Sequence, residues 1–313
     1  MWAYVGRRIL ATIPVLLVVA VFVFLMLRLT PGDPASIIAG PGATAQDVEH
    51  IRARLGLDQP IVSQFFVWAA HMLQGDFGES FFYKRTVASL IADRIEPTLA
   101  LATLTIILAT VVAVPLGTIA AVRQGSWIDR FVMGFSVLGF SVPVFVIGYL
   151  LIYVFSVQLG WFPVQGYQRI ANGFWEFLHR LILPACTLAV IYVALIARMT
   201  RTSVLEVLNE DYVRTARAKG LPNLKVIVRH ALRNAAVPIV TIIGIGIALL
   251  IGGVVVTESV YNIPGLGRLT VDAVLARDYP TVQAVILLFS FAYVLVNLVI
   301  DLLYTVLDPR IRY

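Results

Sequence analysis

The chain has 313 residues, 59% of them hydrophobic and 13% charged, with a mean hydropathy of +0.89 and a formal net charge of +6. Soluble domains carry about 25% charged residues, so the composition excludes an ordinary water-soluble globule and points to a protein of the bilayer. The single cysteine, Cys186, excludes an intrachain disulfide, and His50, His71, His179 and His230 are scattered without metal-site spacing.

Six stretches hold the roughly 20 mainly apolar residues that a spanning helix needs: 9–29, 98–122, 131–157, 181–200, 237–257 and 282–307. The first follows Arg7 and Arg8 as a signal peptide would. Its apolar run is too long for a signal, however, and Leu-Thr-Pro-Gly follows it where a cleavage site would have small residues, so it reads as an uncleaved span. Basic residues set the orientation. With the N-terminus inside, the inner segments hold fourteen Lys and Arg against five acids, and the outer segments nine against twelve. Both termini are therefore expected in the cytoplasm.

The outer stretch 30–97 is too long for a turn. TAQDVEHIRARLGL opens with Thr44 as a helix cap and Asp47 three residues on, with Val48, Ile51 and Leu55 on one face. After Gln59-Pro60, the residues Ile61, Phe65, Trp68 and Met72 repeat at helical spacing, until Gly75 and Gly78 break the pattern. The expectation is a small helical extracytoplasmic subdomain, either a structural cap or a docking surface. The expected divisions are 1–29, the N-terminal end and first span; 30–97, that subdomain; and 98–313, a five-helix core with a cytoplasmic loop at about 201–237.

Helix-weakening residues interrupt the spans: Pro115 and Gly117 in the second, Pro143 in the third, and Gly244, Gly246, Gly252 and Gly253 in the fifth. Such residues are common in membrane helices, where glycines permit close contact or a bend. Asp301 is the carboxylate read as lying inside a span. A charge at a helix centre costs about 2.5–3.5 kcal/mol on insertion scales, which calls for a partner. Arg198 is the candidate, with a proton-relay role as the alternative. No G-x-x-x-x-G-K-[ST], H-E-x-x-H or G-x-S-x-G occurs, so nucleotide hydrolysis through a P-loop and those catalytic sites are excluded.

Between the fourth and fifth spans lies EDYVRTARAKGLPNLKVIVRHALRNAAVP, residues 210–238, polar and strongly basic. Glu210 to Lys219 is helix-compatible, Gly220 supplies a left-handed stop, and Pro222 suits the first turn of a second helix. On that helix an apolar face of Leu224, Ile227, Val228, Ala231 and Ala235 is expected, with Lys225, Arg229 and Arg233 on another. The residues allow an interfacial element whose cations meet anionic lipid, or a surface for a cytoplasmic partner. Nucleic acid is disfavoured, because no aromatic platform interleaves the basic residues.

This segment resembles the EAA loop of ABC-importer permease subunits. Ala216, Ala218 and Gly220 stand at its small positions and Pro238 at its closing proline, while Tyr212 and Val213 depart from its two leading alanines. LTPGDPA (29–35), LGLDQP (55–60), QGDFGES (74–80), IPGLGRL (263–269), RDYP (277–280) and LDPRIRY (307–313) are similar to one branch of that family. That branch is the first permease subunit of dipeptide, oligopeptide, nickel and glutathione importers, and the likeness runs along essentially the whole chain. IIAGPGATAQDV (37–48) is most like the glutathione and dipeptide members.

The resemblance implies an all-α membrane protein with the type I importer fold, six transmembrane helices and a peripheral first span. It implies half of a pore that passes peptides inward by alternating access, beside a second homologous permease chain, two ABC ATPase subunits, and an extracytoplasmic substrate-binding protein. ATP and Mg would sit on the ATPases, with no cofactor or metal on this chain. Glu210, Asp211, Tyr212, Ala216, Arg217, Lys219 and Gly220 are the implied ATPase-coupling residues. Ser141, Pro143, Gly252, Gly253 and Thr257 are small or polar positions that suit a pore lining, or ordinary helix packing. Two competing functions are an ion-driven secondary transporter or channel, which would show inverted repeats and more buried ionisable groups, and a membrane-embedded enzyme, which would need a catalytic pair within a span.

Overall fold

The computed structural model describes residues 2–29, 34–39, 42, 44–54 and 56–307. The motif LDPRIRY apart from its first residue, most of LTPGDPA, and parts of IIAGPGATAQDV and LGLDQP lie outside the described residues. The described residues form thirteen α-helices and no strand, only an isolated bridge between Glu79 and Thr86. In chain order the helices are α1 Trp2–Leu29, α2 Pro34–Ala39, α3 Ala45–Arg54, α4 Ile61–Leu73, α5 Val87–Val122, α6 Trp127–Ser141 and α7 Val144–Leu151. They continue with α8 Phe174–Leu208, α9 Asp211–Ala218, α10 Asn223–Lys225, α11 Ala236–Val260, α12 Leu266–Leu275 and α13 Tyr279–Leu307. Five of these are long and apolar enough to cross a membrane, or six when α6 and the segment after it count as one bent span.

Two helices far exceed the apolar runs that announce them. α5 has 36 residues and α8 has 35, lengths of about 54 and 52 Å against a hydrocarbon core of about 30 Å. Hydropathy sees only their apolar middles; the polar ends continue as helix, in α5 even through Pro97.

The third apolar run differs more. The expected single helix over 131–157 is two helices that meet at 105°. Pro143 lacks an N–H and drives the residue before it into extended backbone, and Val142 accordingly sits at φ −94°, ψ 125°. After α7 the chain continues as a π-helix, Ile152–Gln158. The apolar run is continuous in hydropathy, so the break was visible only as one proline.

Contacts divide the chain into two compact units. The first comprises Met1–Tyr4, Glu96–Arg268 and Leu295–Tyr313. Its axis is α8, buried along most of its surface, with Leu181, Leu188, Ile196 and Val204 fully covered. Small residues let neighbouring helices close on it. A methyl on Gly117 of α5 would strike the Ala197 carbonyl, and one on Gly139 of α6 would come within 2.9 Å of Ala194 Cβ. Without the hydrophobic effect to drive helices together in lipid, such close backbone packing is what holds them. Glu96 fastens the loop between α7 and α8: its carboxylate accepts from Tyr167 Oη at 3.1 Å and from the Ile170 N–H at 3.1 Å. Burial, reinforced by that carboxylate, pushes the Tyr167 phenol above its usual pKa, so it stays a donor.

The second unit comprises Val5–Ile95 and Leu269–Val294. Thr44 and Asp47 cap α3 reciprocally, the Thr44 N–H donating to Asp47 Oδ2 at 2.9 Å and the Asp47 N–H to Thr44 Oγ1 at 3.3 Å. On α4, Phe65 and Trp68 pack on Phe24 of α1, with ring centroids 5.2 and 5.5 Å apart. The helical stripe read from the sequence is thus the face that meets the first span.

Candidate functional site: the helical elbow and the buried carboxylates

An eight-residue helix is too short to stand alone in water. α9 is held by a small apolar cluster in which Val204 and Leu208 of α8 meet Val213, Ala216, Val226, Ala231, Ala235 and Ile239. Val213 and Val226 are fully buried, worth about 2 kcal/mol each. Its C-terminus closes as the sequence anticipates: Gly220 adopts φ +77°, the Leu221 N–H donates to Ala216 O at 3.3 Å, and the Gly220 N–H to Arg217 O at 2.9 Å. This double closure leaves Leu221 beside Ala216 in the same apolar cluster. Tyr212 Oη accepts from Asn234 Nδ2 at 2.9 Å, which ties α9 to the returning chain.

The second half of the elbow corrects the expected apolar face. After α10 the chain is a π-helix, Val226–Leu232, whose wider turn moves the inward positions to i, i+5. Val226, Ala231 and Ala235 are buried, whereas Leu224 and Val228 stand 74% and 55% exposed. Ala216 likewise faces inward, into the chain's own cluster. The outward residues are Glu210, Asp211, Tyr212, Arg217, Lys219 and Gly220, joined by Leu224 and Val228, which the periodicity had turned inward.

A buried ion pair braces this end of the bundle. Asp129, capped by the Gly125 N–H at 2.9 Å, receives both Nε and Nη2 of Arg201, the latter at 2.8 Å. It links α6 to α8 about two turns before α8 ends. Sequence reading missed it; the only signal was an acid and a base, each at a polar end of an apolar run. Arg198, expected to meet Asp301, instead lies with its guanidinium 5.4 Å over the ring of Phe140.

Two further carboxylates, both fully buried, explain three of the sequence motifs. Glu258, near the end of α11, accepts from Thr98 Oγ1 at 2.5 Å and from the Arg268 N–H at 3.0 Å, and Thr98 Oγ1 accepts from the Leu266 N–H at 2.8 Å. A methyl on Gly265 would overlap the Glu258 carboxylate, and one on Gly267 would come within 2.5 Å of Val255 Cα. IPGLGRL is therefore a loop wrapped around an acid. In the second unit, Asp278 of RDYP accepts from Ser80 Oγ at 2.5 Å, the Phe81 N–H at 3.0 Å and Thr281 Oγ1 at 2.7 Å. Ser80 closes QGDFGES, so two motifs almost two hundred residues apart are one joint.

Among the pore candidates, Ser141 and Pro143 are exposed and sit together at the α6–α7 bend, the Ser141 hydroxyl bonded back to Val137 O at 2.9 Å. Gly252 is exposed, with open space where a side chain would go. A methyl on Gly253 would come within 3.0 Å of Leu188 Cδ2, and Thr257 is buried, its Oγ1 unpartnered among the described residues. Among those residues no cluster of three His, Cys, Asp or Glu could hold a metal.

This order of elements, five or six apolar spans with a short helical elbow between the fourth and fifth, is the fold of a type I importer permease. A chain of the MetNI methionine ABC transporter matches it with a TM-score of 0.58 at 19% identity, over 70% of this chain and 96% of that one. Residues 113–313 match the family described as binding-protein-dependent transport system inner membrane component, and residues 1–102 match its N-terminal counterpart. The chain belongs to this family and is a pore-forming component of an ABC importer, multi-pass in the inner membrane. It is 54% identical, over the whole of both chains, to the "Probable peptide ABC transporter permease protein y4tP" of Sinorhizobium fredii. It is 48% identical to the glutathione transport system permease protein GsiC of Escherichia coli K12, over 99% of each chain.

Proposed function

We propose that this permease passes peptides, in the size range from glutathione and dipeptides upward, into the cytoplasm by alternating access, and that the elbow 210–238 is its seat on a partner ATPase. The observation that carries this reading is the elbow itself. Its interior is closed by its own apolar cluster, yet it presents Asp211, Tyr212, Arg217, Lys219, Leu224 and Val228 to the outside. Coupling needs a rigid lever continuous with spans on both sides, and α9 follows α8 by two residues while the π-turn runs on almost directly into α11. Glu210 and Gly220 set the ends of that lever; Ala216 supports it from within. The positive-inside count puts the elbow and both termini in the cytoplasm, with residues 30–97 outside. Partners are then a second permease chain, two ATPases that carry ATP and Mg, and an external binding protein. In the pore, Ser141, Pro143 and Gly252 are the surfaces offered to cargo; a weakly polar lining suits a path that must release what it carries.

The test is mild-detergent purification of the tagged chain from its native membrane, with co-purifying proteins identified by mass spectrometry. Recovery of a P-loop ATPase and a second permease chain is expected. A homogeneous preparation that moves solute without any ATPase would overturn the reading.

A further inference from the structure

On α4, Ile61–Leu73, successive residues turn by about 100°, which sorts the helix into three sectors. Ile61, Phe65, Trp68 and Met72 share the first, and through Phe65 and Trp68 it meets Phe24 of α1. Ser63, Gln64 and His71 fall in a mainly polar sector that also carries Val67, 52% exposed; there Gln64 Nε2 donates to Gln59 O at 2.7 Å and His71 pairs with Asp76 at 2.9 Å. Between them lies a second apolar sector that no described element covers: Val62, Phe66 and Leu73 are 63%, 66% and 90% exposed.

We propose that this second sector is a lipid contact, and that α4 lies in the membrane interface as an in-plane anchor with its Val62–Phe66–Leu73 face in the acyl chains. Depth decides the occupant. Phe24 belongs to the apolar span Gly6–Met26, so a helix packed on Phe24 is held at the level of the last turns of that span, not out in water. The exposed apolar surface of α1, including Val18 and Phe22 at 68% and 69%, faces lipid in a spanning helix, which sets the depth of the Phe24 contact within the bilayer. α4 carries no Asp, Glu, Lys or Arg, as befits burial in a headgroup–acyl boundary rather than docking of a water-soluble partner. Its aromatic residues suit that boundary, and three sectors facing protein, lipid and water are the pattern of an in-plane amphipathic helix.

The experiment uses the full chain in lipid vesicles, with Cys186→Ser as background and a nitroxide placed through Val62→Cys, Phe66→Cys, Leu73→Cys or Ser63→Cys. Val18→Cys on α1 is the lipid reference. Collisional relaxation by oxygen, which concentrates in lipid, is compared with relaxation by a water-soluble nickel chelate. Oxygen is expected to dominate at positions 62, 66 and 73 as it does at 18, and the chelate at 63. Dominance of the chelate at 66 and 73 would overturn the proposal in favour of water. Exclusion of both reagents would overturn it in favour of a covering protein. Leu73 has no packing to lose, so its variant reads the environment even where Phe66→Cys disturbs the ring contact with Phe65.

Discussion

The elbow at Gly220 and the corner at Glu258 both turn the chain from one helix into the next with glycine, for opposite reasons. Around Gly220 there is open space, and the glycine is needed for its backbone angle, φ +77°. At Gly265 the neighbouring carboxylate leaves no room for a methyl, and the glycine is needed for what it lacks. The elbow buries small apolar side chains and exposes charge; the corner buries a carboxyl group and encloses it in donors. A surface built to be met by another protein can change without unfolding the chain. A loop folded round an acid cannot lose the acid.

The largest effect is therefore expected at the corner. Glu258→Ala removes the carboxylate that Thr98 Oγ1 and the Arg268 N–H donate to, and losing the partner of a buried polar group costs about 1–3 kcal/mol. A loss of about 3 kcal/mol should appear as early thermal unfolding of the detergent-solubilised chain, with Glu258→Gln losing less. Normal stability of Glu258→Ala would show that the loop is held by something else. Arg201→Ala comes next. It leaves Asp129 with the Gly125 N–H alone among its described donors, and for a pair whose arginine keeps 18% of its side chain exposed the cost is about 3 kcal/mol, the lower end for a buried pair that loses one partner. Pairing Arg201→Gln with Asp129→Asn should cost less than the single changes summed; additivity would mean that the two residues do not act as a pair. Gly220→Val is a smaller structural insult, because a β-branched residue in left-handed backbone costs about 1–2 kcal/mol. Its expected signature is functional: the chain inserts and assembles, ATP hydrolysis continues, and uptake is lost. Gly220→Asn, which tolerates that angle, should retain uptake.

How much of this the sequence discloses depends on the range of each interaction. The six apolar runs, the Thr44–Asp47 cap, the α4 stripe and the Gly220 turn all follow from residues within a few positions of one another. Properties that need a partner far along the chain were not readable. Glu258 was counted as an ordinary loop acid, although a glycine-rich loop directly after a carboxylate at the end of an apolar run was the available clue. Asp278 and Ser80 carried no clue at all beyond lying in recognisable motifs, since 198 residues separate them. The proline in the third run was seen, but hydropathy has no term for direction and so missed a 105° bend. On the elbow, an α-periodicity was applied to residues that wind as a π-helix, and one extra residue per turn reversed which side chains face out.

That reversal yields the smallest expected change in stability and the sharpest test of the comparison. Leu224 and Val228 are largely exposed, so trimming them to alanine removes little that the folded chain uses, within about 0.5 kcal/mol for surface positions. If the elbow is a seat for an ATPase, those same truncations should weaken co-purification of the ATPase and lower ATP-driven uptake while leaving the melting temperature where it was. Val226→Ala and Ala231→Leu, one helical step away but inside the cluster, should do the reverse and lower stability first. Should Leu224→Ala destabilise the chain as Val226→Ala does, the residue is packed, and the α-helical register read from the sequence describes the elbow better than the π-turn. A split between the two pairs would show that this half of the elbow divides, residue by residue, into what supports the lever and what the lever touches.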